Sequence, residues 1–293
     1  MASSTSLRPT KLTLTIAGLH VHVYHHPDLT ARELPVVILF FLHGRTGSAI
    51  GMEDVAESIV MLSHSPSRAK DLYVVTFDQR NHGTRLVDAQ ANLVWKEEEG
   101  DGNERHAMDM YAIQTGTARD VSFLVDFLPS YLFPNDERTV SDWTVSGFSL
   151  GGHAAWIALA HDVRLKAGIM ICGCPDYLPL ITERARNSSV AAEAPYIPQS
   201  LRALIGRNDP ASKPYSVSDD SNPFLNKKIL VIAAGKDTVV TWAACESFVR
   251  ELEVGSSGVK RVLVEDDAPH SCTDKMVRWT SDFVQEYILA GQL

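Results

Sequence analysis

Three positions could together move an acyl group: a serine in Gly147-Phe148-Ser149-Leu150-Gly151, an aspartate in Gly235-Lys236-Asp237 and a histidine in Ala268-Pro269-His270. Serine is a weak nucleophile until a base takes its proton, and histidine does so near neutral pH when a carboxylate holds the correct ring tautomer. Ser149 follows an apolar run and opens a stretch of helical periodicity, so its GxSxG setting reads as a strand-to-helix elbow that displays the hydroxyl. Glycines at 147 and 151 keep bulk away from that turn. The helix start also offers N–H groups and a positive dipole end where an oxyanion would form.

Order along the chain supports the set: nucleophile, then acid, then base. Asp237 lies just past an apolar run, although an aspartate there also suits a helix N-cap. Asp266 and Asp267 compete with it by proximity to His270. Leu42-His43-Gly44-Arg45-Thr46-Gly47 follows the strongest apolar run, and its backbone can face a carbonyl oxygen. The oxyanion donors are therefore assigned to the N–H groups of Arg45 and Leu150. The Arg45 side chain is left for the surface or for an anionic substrate group. His43 precedes the nucleophile and is read as structural, and Phe77-Asp78-Gln79-Arg80-Asn81-His82-Gly83 as a turn that buttresses its loop.

Other reactive residue types receive plainer assignments. His20, His22, His25 and His26 crowd one hairpin without the cysteine or carboxylate company of a metal site. Cys172, Cys174, Cys245 and Cys272 are too few for a disulfide scaffold and are read as free thiols, the first two as small packing residues at a strand end. No metal or organic cofactor is required, and the residues that bind the substrate are left open.

Positioning these groups takes a sheet. Residues 12–16 and 19–24 alternate apolar and polar around Ala17-Gly18, which predicts an opening hairpin. Apolar runs follow at 36–42, 73–77, 140–145, 167–171, 229–233 and 259–264, with helices expected at about 53–63, 107–129, 149–161, 241–253 and 273–289. Continuously apolar strands alternating with helices predict a mostly parallel, doubly wound α/β sheet with an N-terminal antiparallel hairpin. Residues 85–105 are polar and read as a solvated loop. The Pro-, Ser-, Ala- and Asn-rich residues 175–223 suit a small cap or lid inserted into a single domain spanning residues 1–293, over the carboxyl edge where open α/β sheets bind ligands.

Composition bounds the partners. A net charge of −9 opposes binding to a phosphate backbone, which lysine and arginine drive. Residues 1–10 lack the apolar core of a secretory signal and no run is long enough to span a bilayer, so the expected address is cytoplasmic and the expected partner a small-molecule substrate. Nothing in the sequence opposes a homodimer.

Taken together, the HGRTG loop, the GFSLG elbow, Asp237 and His270 resemble the α/β-hydrolase superfamily over most of the chain. The resemblance is strongest to its compact serine esterases and to its dienelactone-hydrolase-like or prolyl-oligopeptidase-like single-domain branches. It implies an eight-stranded sheet, an inserted cap and hydrolysis of a carboxylic ester. Departures narrow it: the HGGG oxyanion motif of another esterase branch is absent, and a serine stands where dienelactone hydrolases carry cysteine. Carbon–carbon bond cleavage and idle ligand binding on the same fold remain as alternatives.

Overall fold

A computed structural model describes residues 8–31, 34–96 and 102–290. Its eight strands form one sheet in the order β1-β2-β4-β3-β5-β6-β7-β8. Strands β1 (Thr10–Ile16) and β2 (Leu19–His25) form the antiparallel hairpin, and β2 pairs antiparallel with β4 (Asp71–Phe77). From β4 through β3 (Val36–Leu42), β5 (Val140–Phe148), β6 (Leu165–Ile171), β7 (Lys228–Ala234) and β8 (Val259–Glu265) all pairing is parallel.

Strand β3 shows why the pattern yields this sheet. Every residue in it is buried, but Val36, Ile38, Phe40 and Leu42 enter one core while Val37, Leu39 and Phe41 enter the other. The period of two thus feeds both faces, which helices must cover. On one face lie α1 (Glu53–Leu62) and α7 (Asp274–Phe283); on the other lie α2 (His106–Leu132), α3 (Leu150–His161) and α6 (Trp242–Glu251). Helix α7 runs into a π-helical stretch, Val284–Leu289, so the last helix expected at 273–289 changes its winding near the end.

Between β6 and β7 the chain forms α4 (Tyr177–Asn187) and α5 (Gln199–Asn208), joined by the Asp209 carboxyl, which accepts the Tyr177 N–H at 2.6 Å. Residues 85–105 depart from a solvated loop. Ala91, Asn92 and Trp95 are buried, and the Trp95 ring packs edge-on against His106 of α2 at 5.2 Å. An apolar ring and one 3-10 turn, Gln90–Asn92, hidden in a polar stretch account for the difference. Residues 97–101 of that stretch lie outside the described residues.

Candidate active site

Ser149 sits between β5 and α3 with φ 53° and ψ −116°, a backbone conformation that non-glycine residues rarely adopt. The turn fits because its flanks are glycine. A Cβ on Gly147 would stand 2.4 Å from the Gly151 backbone, and one on Gly151 would stand 2.2 Å from the Leu42 oxygen. The Ser149 N–H donates to the Ile171 oxygen at 2.9 Å, which ties the elbow to the end of β6.

Two neighbouring loops carry the other candidates. Gly235 and Lys236 donate backbone N–H bonds to the Glu265 and Ala268 oxygens at 2.8 and 2.9 Å, so the segments after β7 and β8 run side by side. That alignment brings Asp237 Oδ2 within 2.6 Å of His270 Nδ1, and His270 Nε2 within 2.7 Å of Ser149 Oγ. Asp237 Oδ1 accepts the N–H groups of Val239 and Val240, both at 2.8 Å. Burial pushes the Asp237 carboxyl up, but the His270 hydrogen bond and the two N–H donors outweigh it and hold the group below its usual range. Of the competing carboxylates, Asp267 pairs with Lys236 at 2.6 Å on the outer surface and Asp266 is exposed.

The HGRTG loop passes directly above the elbow. A Cβ on Gly44 would come within 3.7 Å of the Ser149 Cβ, and Arg45 and Leu150 border the same cleft as Ser149. Leu150 is the first residue of α3, where a backbone N–H has no acceptor within the helix. His43 is fully buried: Nε2 accepts the Gln79 N–H at 3.0 Å, which places the ring proton on Nδ1, donating to the Gly44 oxygen at 2.7 Å. Burial pushes its pKa down to about 4, so the ring is neutral and committed to the loop. The 77–83 turn does hold that loop, since Gln79 also reaches the His43 oxygen and Asp78 accepts the Ala49 N–H at 2.8 Å.

The cleft has a volume of about 260 Å³ and is walled by residues that sequence reasoning did not single out: His106, Met110 and Gln114 of α2, His153 of α3, and Arg184 of α4. Burial pushes His106 and His153 down to about 4, so both are neutral imidazoles. These residues come from elements far apart in sequence, and no local spacing announces them.

Two groups of possible metal ligands occur among the described residues. In one, His26 stacks on His64 at 3.5 Å, but Asp28 N–H already takes the His26 Nδ1 lone pair and Arg68 approaches His64 Nε2 at 3.4 Å. The other joins Asp237 and His270 to Cys172, whose thiol burial pushes far up and keeps protonated. All four cysteines are free, and Cys172 and Cys174 are buried just beyond β6.

Among the described residues no helix is long and apolar enough to cross a membrane. No curated protein sequence matches the chain. Among solved structures, the fold is similar to TT1662 from Thermus thermophilus, with a TM-score of 0.66 and 20% identity over 97% of this chain and 100% of that one. It is also similar to acetyl xylan esterase 1 from a Thermoanaerobacterium species, with a TM-score of 0.60 and 15% identity over 98% of this chain and 86% of that one. The esterase Pf2001 from Pyrococcus furiosus gives a TM-score of 0.53 and 18% identity over 96% and 93% of the respective chains. The model of the alpha/beta hydrolase family matches residues 39–289, from within β3 to the end of the last helix, and the chain belongs to that family.

Proposed function

We propose that the protein is a serine hydrolase that cleaves a small-molecule carboxylic ester through an acyl-enzyme intermediate. The observation that carries this reading is the unbroken hydrogen-bond chain from Ser149 Oγ through His270 to Asp237. His270 takes the Ser149 proton as the oxygen attacks the ester carbonyl, and Asp237 holds the ring and balances the imidazolium. The N–H groups of Arg45 and Leu150 receive the oxyanion. His270 then protonates the departing alcohol, and a water activated by the same ring releases the acid. Residues 175–223 act as a cap: Arg184, Asn187 and Ser188 from this insertion border the cleft, which favours a lid over the carboxyl edge. Esterases among the structural neighbours are consistent with this reading.

The test is turnover of short and medium p-nitrophenyl esters together with labelling by a fluorophosphonate, in wild type, Ser149→Ala and His270→Ala. Wild type is expected to hydrolyse and to label, with both variants losing on the order of 10³-fold or more in kcat. Ester turnover that survives Ser149→Ala would sink the proposal.

A further inference from the structure

The wall of the cleft holds a cation, Arg184, that forms no carboxylate ion pair among the described residues. Arg184 lies in the last turn of α4 and borders the same cavity as Ser149. A guanidinium carries five N–H donors and cannot shed its charge. Its hydrogen bond to the protein runs from Nη2 to the Val239 oxygen at 2.8 Å, and among the described residues it forms no ion pair with a carboxylate. Five arginines elsewhere in the fold are matched by carboxylates. Arg68 and Arg138 share Asp71, Arg80 and Arg85 share Asp120, and Arg164 pairs with Asp162 and Asp126.

Arg184 is half-buried, and a charge that gives up water is ordinarily paired or hydrogen-bonded. Loss of water pushes the Arg184 guanidinium below its ordinary value and the charge on Arg45 pushes the same way, against the smaller opposing pull of Tyr177, Cys174 and Asp237. Arg45 stands on the same wall, where its Nη1 donates to the Asn92 oxygen at 2.7 Å. Among the described residues no aspartate or glutamate lines this cavity, although the whole chain carries a net charge of −9. The Val239 tether also fixes the fork relative to the reacting groups, because Val239 N–H binds Asp237 two residues earlier.

We infer that the cleft takes an anionic ester, a small molecule with an ionised carboxylate besides its scissile ester bond, and that Arg184 receives that carboxylate. The inference rests on the hydrolase reading above and adds the substrate's charge to it. A cavity of about 260 Å³ limits the acid to a short chain. A fork with one arm held by Val239 still presents donors to a carboxylate, the geometry in which arginine binds most strongly. Arg184 is thus a specificity residue and takes no part in proton transfer.

The experiment compares two aryl esters that differ only in the remote charge: the mono-4-nitrophenyl ester of adipic acid and its methyl-capped counterpart. Wild type is expected to prefer the free acid in kcat/KM by about 10- to 100-fold, the range of one hydrogen bond to a charged group. Arg184→Gln should remove most of that ratio, chiefly through KM, and Arg184→Lys should keep part of it. A wild-type ratio near one overturns the inference. So does a ratio that Arg184→Gln leaves unchanged while both rates fall, because that outcome makes Arg184 a strut for the Val239 loop. Calorimetric titration of adipate into Ser149→Ala reads the anion site without turnover: binding that disappears in Ser149→Ala/Arg184→Gln supports the inference, and no binding to Ser149→Ala refutes it. Fluorophosphonate labelling of wild type is scored separately. Loss of labelling counts against the hydrolase reading, whereas labelling without charge preference counts against the Arg184 assignment only.

Discussion

Asp237 spends one oxygen on His270 Nδ1, at 2.6 Å, and the other on the N–H groups of Val239 and Val240. A carboxylate that only capped the turn would leave its second oxygen to solvent, but the Asp237 side chain is fully buried. Asn in its place keeps the turn and puts at most one acceptor where two are used. The imidazole then loses either its anchor or its tautomer. Asp237→Asn is expected to lower kcat by on the order of 10³- to 10⁴-fold while the melting temperature moves little. Asp267→Asn, which breaks only an exposed pair with Lys236, should leave kcat almost untouched. Steady-state kinetics with thermal melts check both, and equal losses in the two variants would contradict the assignment of Asp237.

His43 gives a second, opposite expectation. Its ring serves the loop that presents Arg45, accepting from Gln79 and donating to Gly44. His43→Ala strands the buried Gln79 N–H and leaves a hole under the loop, which should cost about 2–4 kcal/mol of stability. Turnover should fall because the Arg45 N–H loses its support, yet Ser149 should still react with a fluorophosphonate, since His270 remains. A variant that is stable but no longer labels would instead make His43 part of the proton chain.

Much of this site was legible in the sequence because its parts sit where strands end. Parallel strands buried on both faces are apolar, so β3, β6 and β7 stand out and the inner half of β5 with them, and ligands of such sheets bind at the loops that follow. Strand β4 was the instructive exception. It begins at Asp71, two residues before its apolar run, because Arg68 and Arg138 neutralise that carboxylate from 2.7 and 2.6 Å. Arg138 is distant in sequence, and no local pattern shows a buried ion pair. The same reason hides the cavity wall: Arg184, His106 and Trp95 belong to three separate segments and acquire a shared meaning only after the chain folds.

Close approach, and not turn conformation, decides the role of Gly151. It lies within α3, yet a Cβ there would meet the Leu42 oxygen at 2.2 Å and the His43 oxygen at 2.7 Å. Both are backbone atoms of the strand and loop that position Arg45, and neither can swing aside. Gly151→Ala, ordinarily favourable in a helix, is expected to destabilise by about 3 kcal/mol or more. Denaturant unfolding checks it, and a neutral or stabilising result would mean that α3 can slide off β3.

Stability should peak mildly on the acid side of neutrality, and four buried groups set the direction. Burial holds His43, His106 and His153 at about 4, below the ordinary histidine value of about 6.5. Unfolding lets them bind protons, so their contribution is present above about pH 6.5 and is lost as pH falls towards 4. Burial acts on Asp209 in the other direction and raises it to about 8. The folded protein keeps that proton while the unfolded chain releases it above about pH 4, so stability drains as pH rises towards 8. Below about pH 6.8 the three histidines outweigh the single carboxyl; above about pH 7.5 the carboxyl dominates among these four, at up to about 1.4 kcal/mol per pH unit. Asp209→Asn keeps an oxygen for the Tyr177 N–H, which now receives a bond of 2.6 Å, and removes the titration. Wild type should therefore lose on the order of 1 °C of melting temperature between about pH 7 and 8, and Asp209→Asn should lose less. Parallel slopes for the two proteins would show that Asp209 is ionised in the folded state and that the contact between α4 and α5 is an ordinary charged N-terminal cap.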